Sequence, residues 1–297
     1  MRNLVQWVVW QVRFAGALVI SLLLRRDASA EFVFLAQQAA HRRDTAGFLR
    51  AIRRSGDPSR FDEATVARVA LYHQWIGDKS ESARLFITLA PSTSQSPEVL
   101  KCYGNYLAHS GRVQEGVAYL ERGLKAAPGD SVALDWLGIA YRDLGHLDRA
   151  RECLEASIGM QPQPSGESYM ALAFVASDQG RWEEAAGLWR KGASLLSEDA
   201  TIWYNLGNSL CHTQHWREAI SAFRRSLRLG WSNPQAALYG VALGYWHLGS
   251  IRKARRYCNK ALQREPGYDL ALGLKATIEE ANSFPPSSQG ERRAERP

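Results

Sequence analysis

A chain of 297 residues has the length of about two ordinary domains, and 45% apolar with 23% charged residues is the mixture of a folded protein, which excludes disorder throughout. Only 24 Gly and 11 Pro punctuate it, too few for an all-β chain, so mostly helix is expected, with ten Trp contributing to a large core. The charge of +7 arises from 30 Arg and 7 Lys against 30 acids, a balance that permits an anionic partner without requiring one.

Residues 4–24, LVQWVVWQVRFAGALVISLLL, are apolar apart from Gln6, Gln11 and Arg13, and as a helix they would extend about 30 Å, the thickness of a bilayer core. Residues 1–26 are therefore read first as a membrane anchor. Arg13 opposes this, since a central cation costs about 2.5 to 3.5 kcal/mol on insertion scales, unless it snorkels to the headgroups beside Trp7 and Trp10. The alternatives are a signal peptide cut at Ala28-Ser29-Ala30, a transit peptide, or a first helix packed on the body. Arg25, Arg26, Arg42, Arg43, Arg50, Arg53, Arg54 and Arg60 follow, opposed by few acids, and a basic flank of this kind stays on the cytoplasmic side. The repeats described next would then be cytoplasmic, or periplasmic or secreted if the segment is cleaved. The four cysteines, Cys102, Cys153, Cys211 and Cys258, lie about fifty residues apart with no CxxC pair, which fits thiols in a reducing compartment better than disulfides or metal ligands.

After a degenerate helical pair and linker at 27–62, a period of about 34 residues governs the chain. Gly104, Gly138, Ala173, Gly207 and Ala242 form one series, and Gly116, Ala150, Ala185, Ala219 and Ala254 a second on the same beat. Between the two fall Gly77, Gly111, Gly145, Gly180 and Gly249, with Gln214 in the one slot that lacks a glycine. Each unit reads as two helices joined at that slot, where a left-handed conformation ends the first helix. The small residues permit close helix approach. Leu120, Leu154, Trp189, Phe223 and Cys258, four positions beyond the second series, are expected to fill the space toward the following unit. Ser96-Pro97, Asp130-Ser131 and Asn233-Pro234 mark helix starts, and Pro128, Pro162 and Pro266 follow the ends of second helices. Gly207, at a close contact, is expected to tolerate a large side chain far less well than Gly230, near a repeat boundary.

The unit WYNLGNSL…EAISAFRRSL, with Trp203, Leu206, Gly207, Ala219 and Phe223, and LDWLGIAYRDLGHLDRARECL, with Leu137, Gly138, Tyr141 and Ala150, resemble the tetratricopeptide repeat family. The resemblance implies an all-α, right-handed α-α superhelical solenoid of tetratricopeptide-like helical hairpins, with about six units over 63–268 and a capping helix at 269–281. The tail at 282–297 is short, polar and Pro-containing and is expected to be disordered. The resemblance also implies a protein-binding scaffold whose first helices line a concave groove. The alternatives are a secreted or periplasmic scaffold of the same fold and a regulatory accessory subunit of a membrane or envelope biosynthetic enzyme.

On those helices Trp136, Ile139, Met170, Phe174, Tyr204, Asn205, Asn208, Tyr239, Leu243 and Trp246 are the candidate groove residues, accompanied by Glu98, Asp135, Asp143, Glu167 and Asp178. Aromatic walls with acidic charges favour an apolar segment carrying basic residues. Several of the ten could instead complete the core between repeats or be covered by the N-terminal helices. One subset of the family clamps a terminal carboxylate with Lys and Asn from successive units. Lys101 and Asn105 imitate its first part, but Trp136 stands where the next unit would need Asn. No catalytic, cofactor or metal constellation is found: HExxH, GxSxG and P-loop motifs are absent, and His212 with His215 lacks a third ligand. The basic series Arg224, Arg225, Arg228, Arg252, Lys253, Arg255, Arg256, Lys260 and Arg264 falls on second helices, expected as a solvated face, with a membrane surface and then nucleic acid as lesser readings.

Overall fold

The computed structural model describes residues 62–75 and 77–283. The expected membrane segment at 1–26, most of the linker at 27–62 and nearly all of the tail lie outside them. The described residues form thirteen α-helices and no strand. They fall into two compact units that divide after His146.

The first unit contains α1 (Glu63–Trp75), α2 (Lys79–Thr88), α3 (Pro97–His109), α4 (Val113–Ala126) and α5 (Ser131–Asp143). Sequential helices pack as hairpins, α1 with α2 and α3 with α4, while α1 also packs on α3 and α4 on α5. α2 is a clear ten-residue helix although its second-helix pattern is faint in the sequence; Asp78 caps it by accepting from the Glu81 amide. The core of this unit gathers Val66, Ala67, Leu85, Phe86, Val99 and Cys102. Within the α3–α4 hairpin the backbones nearly touch: a Cβ on Gly116 would lie 2.6 Å from the Gly104 carbonyl oxygen, and one on Gly104 would lie 2.8 Å from Leu120 Cγ. No larger residue fits either position without moving backbone.

The second unit comprises α6 (Leu147–Met160), α7 (Gly166–Asp178), α8 (Trp182–Leu195), α9 (Ala200–His212), α10 (Trp216–Arg228), α11 (Pro234–His247), α12 (Ile251–Arg264) and α13 (Asp269–Ser283), each packed on the next. Leu154, Trp189, Phe223 and Cys258 are buried here, as Leu120 is in the first unit, so the residues expected to build the core belong to it. Phe223 shows how. A Cβ on Gly207 of α9 would meet its ring at 2.9 Å, and a Cβ on Gly240 of α11 would meet the opposite side at 2.5 Å, so one ring separates a helix of its own repeat from a helix of the next. The terminal helix α13 runs two residues past the expected 281 and covers Ala242, Ala254 and Cys258 with Leu274 and Ile278.

The hairpin turns repeat one geometry. After α3, Gly111 at φ +85° donates to the Ala108 carbonyl and Arg112 to the Leu107 carbonyl, and Gly77, Gly145, Gly180 and Gly249 repeat this pair of bonds with positive φ. This is the Schellman ending of a helix, and it needs a left-handed residue at one position. Gln214 occupies that position after α9 at φ 60°. Gly230 takes the same role at the end of α10, with φ +82° and nothing within 4 Å of the point a Cβ would occupy. Its boundary position is therefore roomy but conformationally demanding, a constraint absent from the sequence expectation. The helix starts follow the sequence: the side chains of Ser96, Asp130 and Asn233 accept from Val99, Ala133 and Ala236 amides, and Ser165 and Asp199 add two caps of the same kind.

Candidate partner-binding face

All ten candidate groove residues lie on the first helices of hairpins, and none is fully buried. They divide into two kinds. Trp136 packs on the core of the first unit, Phe174 meets Trp189 edge to face at 4.8 Å, Tyr204 stacks on Trp231 at 4.6 Å, and Tyr239, Leu243 and Trp246 pack against the Ala242–Ile278 cluster. These six are walls of the fold whose outer surfaces remain open. Asn205 donates from Nδ2 to the Thr201 carbonyl, which fixes its amide on its own helix. Ile139 and Asn208 are exposed and Met170 is half-buried, so these three present surface with the least structural duty.

The expected acidic charges are not equivalent. Glu98 is tied to Arg68 Nε and Lys101 Nζ, both at 2.8 Å, and Lys101 Nζ reaches Asp130 Oδ2 at 2.7 Å. Burial would raise the Glu98 carboxyl, but the bonds from Arg68 and Lys101 outweigh it and hold the group below the usual carboxylate range. Burial likewise opposes the Lys101 charge, and Asp130 and Glu98 hold the ammonium above its ordinary value. Glu98 is thus a structural carboxylate rather than a groove charge. Lys101 is 8% exposed and engaged by two acids, so it is not presented to a carboxylate ligand as a clamp residue would be. Asp143, exposed at the end of α5, is the acid that faces a cleft.

That cleft escaped the sequence reading as a unit. Asn105, Ala108 and His109 at the end of α3, with Trp136, Ile139, Ala140 and Asp143 on α5, surround about 360 Å³ of empty space, its mouth included. The clue in the sequence is the pair of alanines, Ala108 and Ala140, whose small side chains leave room beside Trp136.

The histidines and cysteines serve other ends. His212 stacks on Trp182 at 3.8 Å with planes 6° apart, His247 stacks on Trp216 at 3.9 Å, and His215 Nδ1 pairs with the Thr213 hydroxyl at 2.9 Å. Among the described residues no group of three or more His, Cys, Asp or Glu is arranged to hold a metal. Burial pushes the Cys211 thiol up to about 12 and the Cys258 thiol to about 11, which keeps both protonated and unreactive near neutral pH. On the second helices, α12 carries Arg252, Lys253, Arg255, Arg256, Lys260 and Arg264 without an acid, and Lys253 and Lys260 lie over the rings of Tyr245 and Tyr257 at 5.3 and 5.1 Å. Arg225 of α10 pairs with Glu198 at 2.7 Å.

Sequence comparison agrees with this geometry. A tetratricopeptide-repeat family model matches residues 137–193 and 170–234, and a model of the Fis1 C-terminal tetratricopeptide repeat matches 235–282. A BBSome complex member BBS4 homolog of Drosophila melanogaster is 22% identical over 169 residues, which are 56% of this chain and 34% of that protein, so the chain spans about a third of that relative. Among solved structures, YrrB, a repeat protein with an unusual peptide-binding site, has a TM-score of 0.58 at 18% identity, covering 64% of this chain and 97% of its own. The Cut9 and Hcn1 hetero-tetramer of the APC/C has a TM-score of 0.60 at 17% identity, covering 84% and 52%. MamA of AMB-1 has 0.52 at 26% identity, covering 59% and 96%. Residues 137–282 are therefore tetratricopeptide repeats, and the hairpins before them share the all-α fold of that family.

Proposed function

We propose that the protein is a non-enzymatic adaptor that holds a partner segment on its first-helix face and is tethered to a membrane by its N-terminal apolar run, with the repeats cytoplasmic. Tetratricopeptide repeats act as protein-interaction scaffolds. The observation that carries the reading is that ten residues on the first helices, eight of them apolar or aromatic, keep open surface. Large apolar groups left accessible on the first helices of each unit mark interaction surface. The segment that fits is apolar with basic residues, because Asp143, Glu167 and Asp178 are exposed acids on the first helices and the walls are aromatic.

The choice of variants follows from the packing. Removing Trp136 or Phe174 would also remove core contacts, so adding charge at exposed positions is the cleaner test. Ile139→Lys in the first unit, and Met170→Lys with Asn208→Arg in the second, should abolish co-purification of the partner from detergent extracts while circular dichroism remains that of the unaltered protein. Retention of the partner by both variants refutes the reading. The acid-free α12 favours one further surface: with the tether in place, this basic helix is suited to an anionic leaflet. Reversal of Arg252 and Arg256 to Glu should then weaken sedimentation with phosphatidylserine vesicles and leave partner capture intact.

A further inference from the structure

We propose that the cleft between the ends of α3 and α5 binds the guanidinium of an arginine side chain carried by the partner segment. This rests on the first-helix face being the partner-binding surface and names one subsite on it. Three groups bordering the cleft can accept hydrogen bonds. Asn105 is 3% exposed, and its Oδ1 is buried without a hydrogen-bond partner. Such an atom calls for a donor. His109 Nδ1 lies 3.1 Å from the Asn105 carbonyl oxygen; a carbonyl only accepts, so Nδ1 donates and Nε2 of the neutral ring is left as an acceptor. Asp143 is exposed and makes no ion pair or hydrogen bond with any described residue.

The surrounding field has the same sign. His109 is the last residue of α3 and Asp143 the last of α5, so the negative ends of two helices meet at the cleft. A carboxylate is disfavoured at such an end, and Asp143 is nonetheless there. Lys101, 5.9 Å from the Trp136 ring centre, is balanced together with Arg68 by Glu98 and Asp130. The wall of the cleft is the indole of Trp136, and Ile139 forms an apolar lip. A planar guanidinium can stack on an indole while its several N–H groups reach separate acceptors, whereas an ammonium is a strongly hydrated point charge on a flexible stem. Seven residues from the ends of two helices line the cleft, a footprint that suits one side chain rather than a helix.

The test uses the full-length protein labelled with 5-fluorotryptophan, the Trp136 resonance being assigned by its absence in Trp136→Phe. The probes are acetyl-Leu-Arg-Leu-amide and its citrulline and lysine counterparts. The arginine peptide should shift the Trp136 resonance saturably, and the citrulline peptide, equal in shape but uncharged, should bind at least tenfold more weakly, with lysine between them. Asp143→Lys places a cation at a helix end, where it is tolerated, so it should fold normally and lose the arginine response. Equal response to arginine and citrulline, no Trp136 shift with any peptide, or undiminished binding by a folded Asp143→Lys would each overturn the proposal. The two readings separate: loss of partner capture in Ile139→Lys with no arginine response leaves the binding face and removes the subsite. An arginine response that Asp143→Lys abolishes, with partner capture surviving every first-helix variant, does the reverse.

Discussion

At the scale of single residues, the same glycine letter stands for two different requirements. Gly207 is small because Phe223 lies 2.9 Å from any Cβ there, while Gly187, in the middle of α8, has nothing within 4 Å and an ordinary helical φ. Gly207→Leu should therefore lower stability by about 1 to 3 kcal/mol or more through overpacking, whereas Gly187→Leu should raise it by about 0.5 to 1 kcal/mol through helix propensity. Thermal unfolding of the two variants measures both signs, and equal shifts would contradict the packing described. Glu98 provides a pH-dependent counterpart. Its folded value is depressed, so its contribution is present above the unfolded glutamate value of about 4.3 and disappears as pH falls from there through the folded value. Glu98→Gln should cost about 1 to 3 kcal/mol at pH 7, as for a hydrogen bond between charged groups, and the gap from the unaltered protein should close below about pH 4. Urea titrations at the two pH values check this.

At the scale of helices, the turn after α9 is the exception in a repeated motif. A side chain in the left-handed region costs roughly 1 to 2 kcal/mol, partly offset by the freedom glycine adds to the unfolded chain, so Gln214→Gly should stabilise by up to about 1 kcal/mol and Gly145→Gln should destabilise by a similar amount. A change of the same sign in both would mean that the turn is not what these residues determine. This motif was legible in the sequence because it is local and recurs on a fixed beat, down to the slot that Gln214 fills. The burial of Leu120, Leu154, Trp189, Phe223 and Cys258 was legible for the same reason. The candidate face was legible only as a set of positions. Helical spacing places Phe174, Tyr204 and Trp246 on first helices, but their partners Trp189, Trp231 and the cluster around Ile278 come from other helices, and a single stretch of sequence does not carry those contacts. Glu98 looked like a free charge because Arg68, its main counter-ion, is thirty residues away and one hairpin earlier. The cleft at Asn105 and Asp143 depends on Ala108 of α3 lying near Trp136 and Ala140 of α5, which is likewise a matter of packing.

At the scale of the whole molecule, a repeat array is stabilised chiefly by contacts between neighbours, so damage at an end should stay near it. Ile278 is fully buried under α13; Ile278→Asp should detach that helix and speed hydrogen exchange in α11 and α12, with α3 and α4 unchanged. Uniform acceleration along the chain would show instead that the array opens as one. Sidedness at the membrane needs a reporter other than Cys211, whose thiol is held protonated. An added Ser221→Cys, on the exposed side of α10, should react with impermeant maleimide from the cytoplasmic side, and reaction from the opposite side alone would contradict the proposed topology. Between the two glycine faces, the ring of Phe223 also works as a clock. With Gly207 along one edge of the ring and Gly240 along the other, a half-turn is expected to need the two helices to part for an instant. Separate resonances for the two edges of the ring, merging on warming, would time the breathing of the stack from a single side chain.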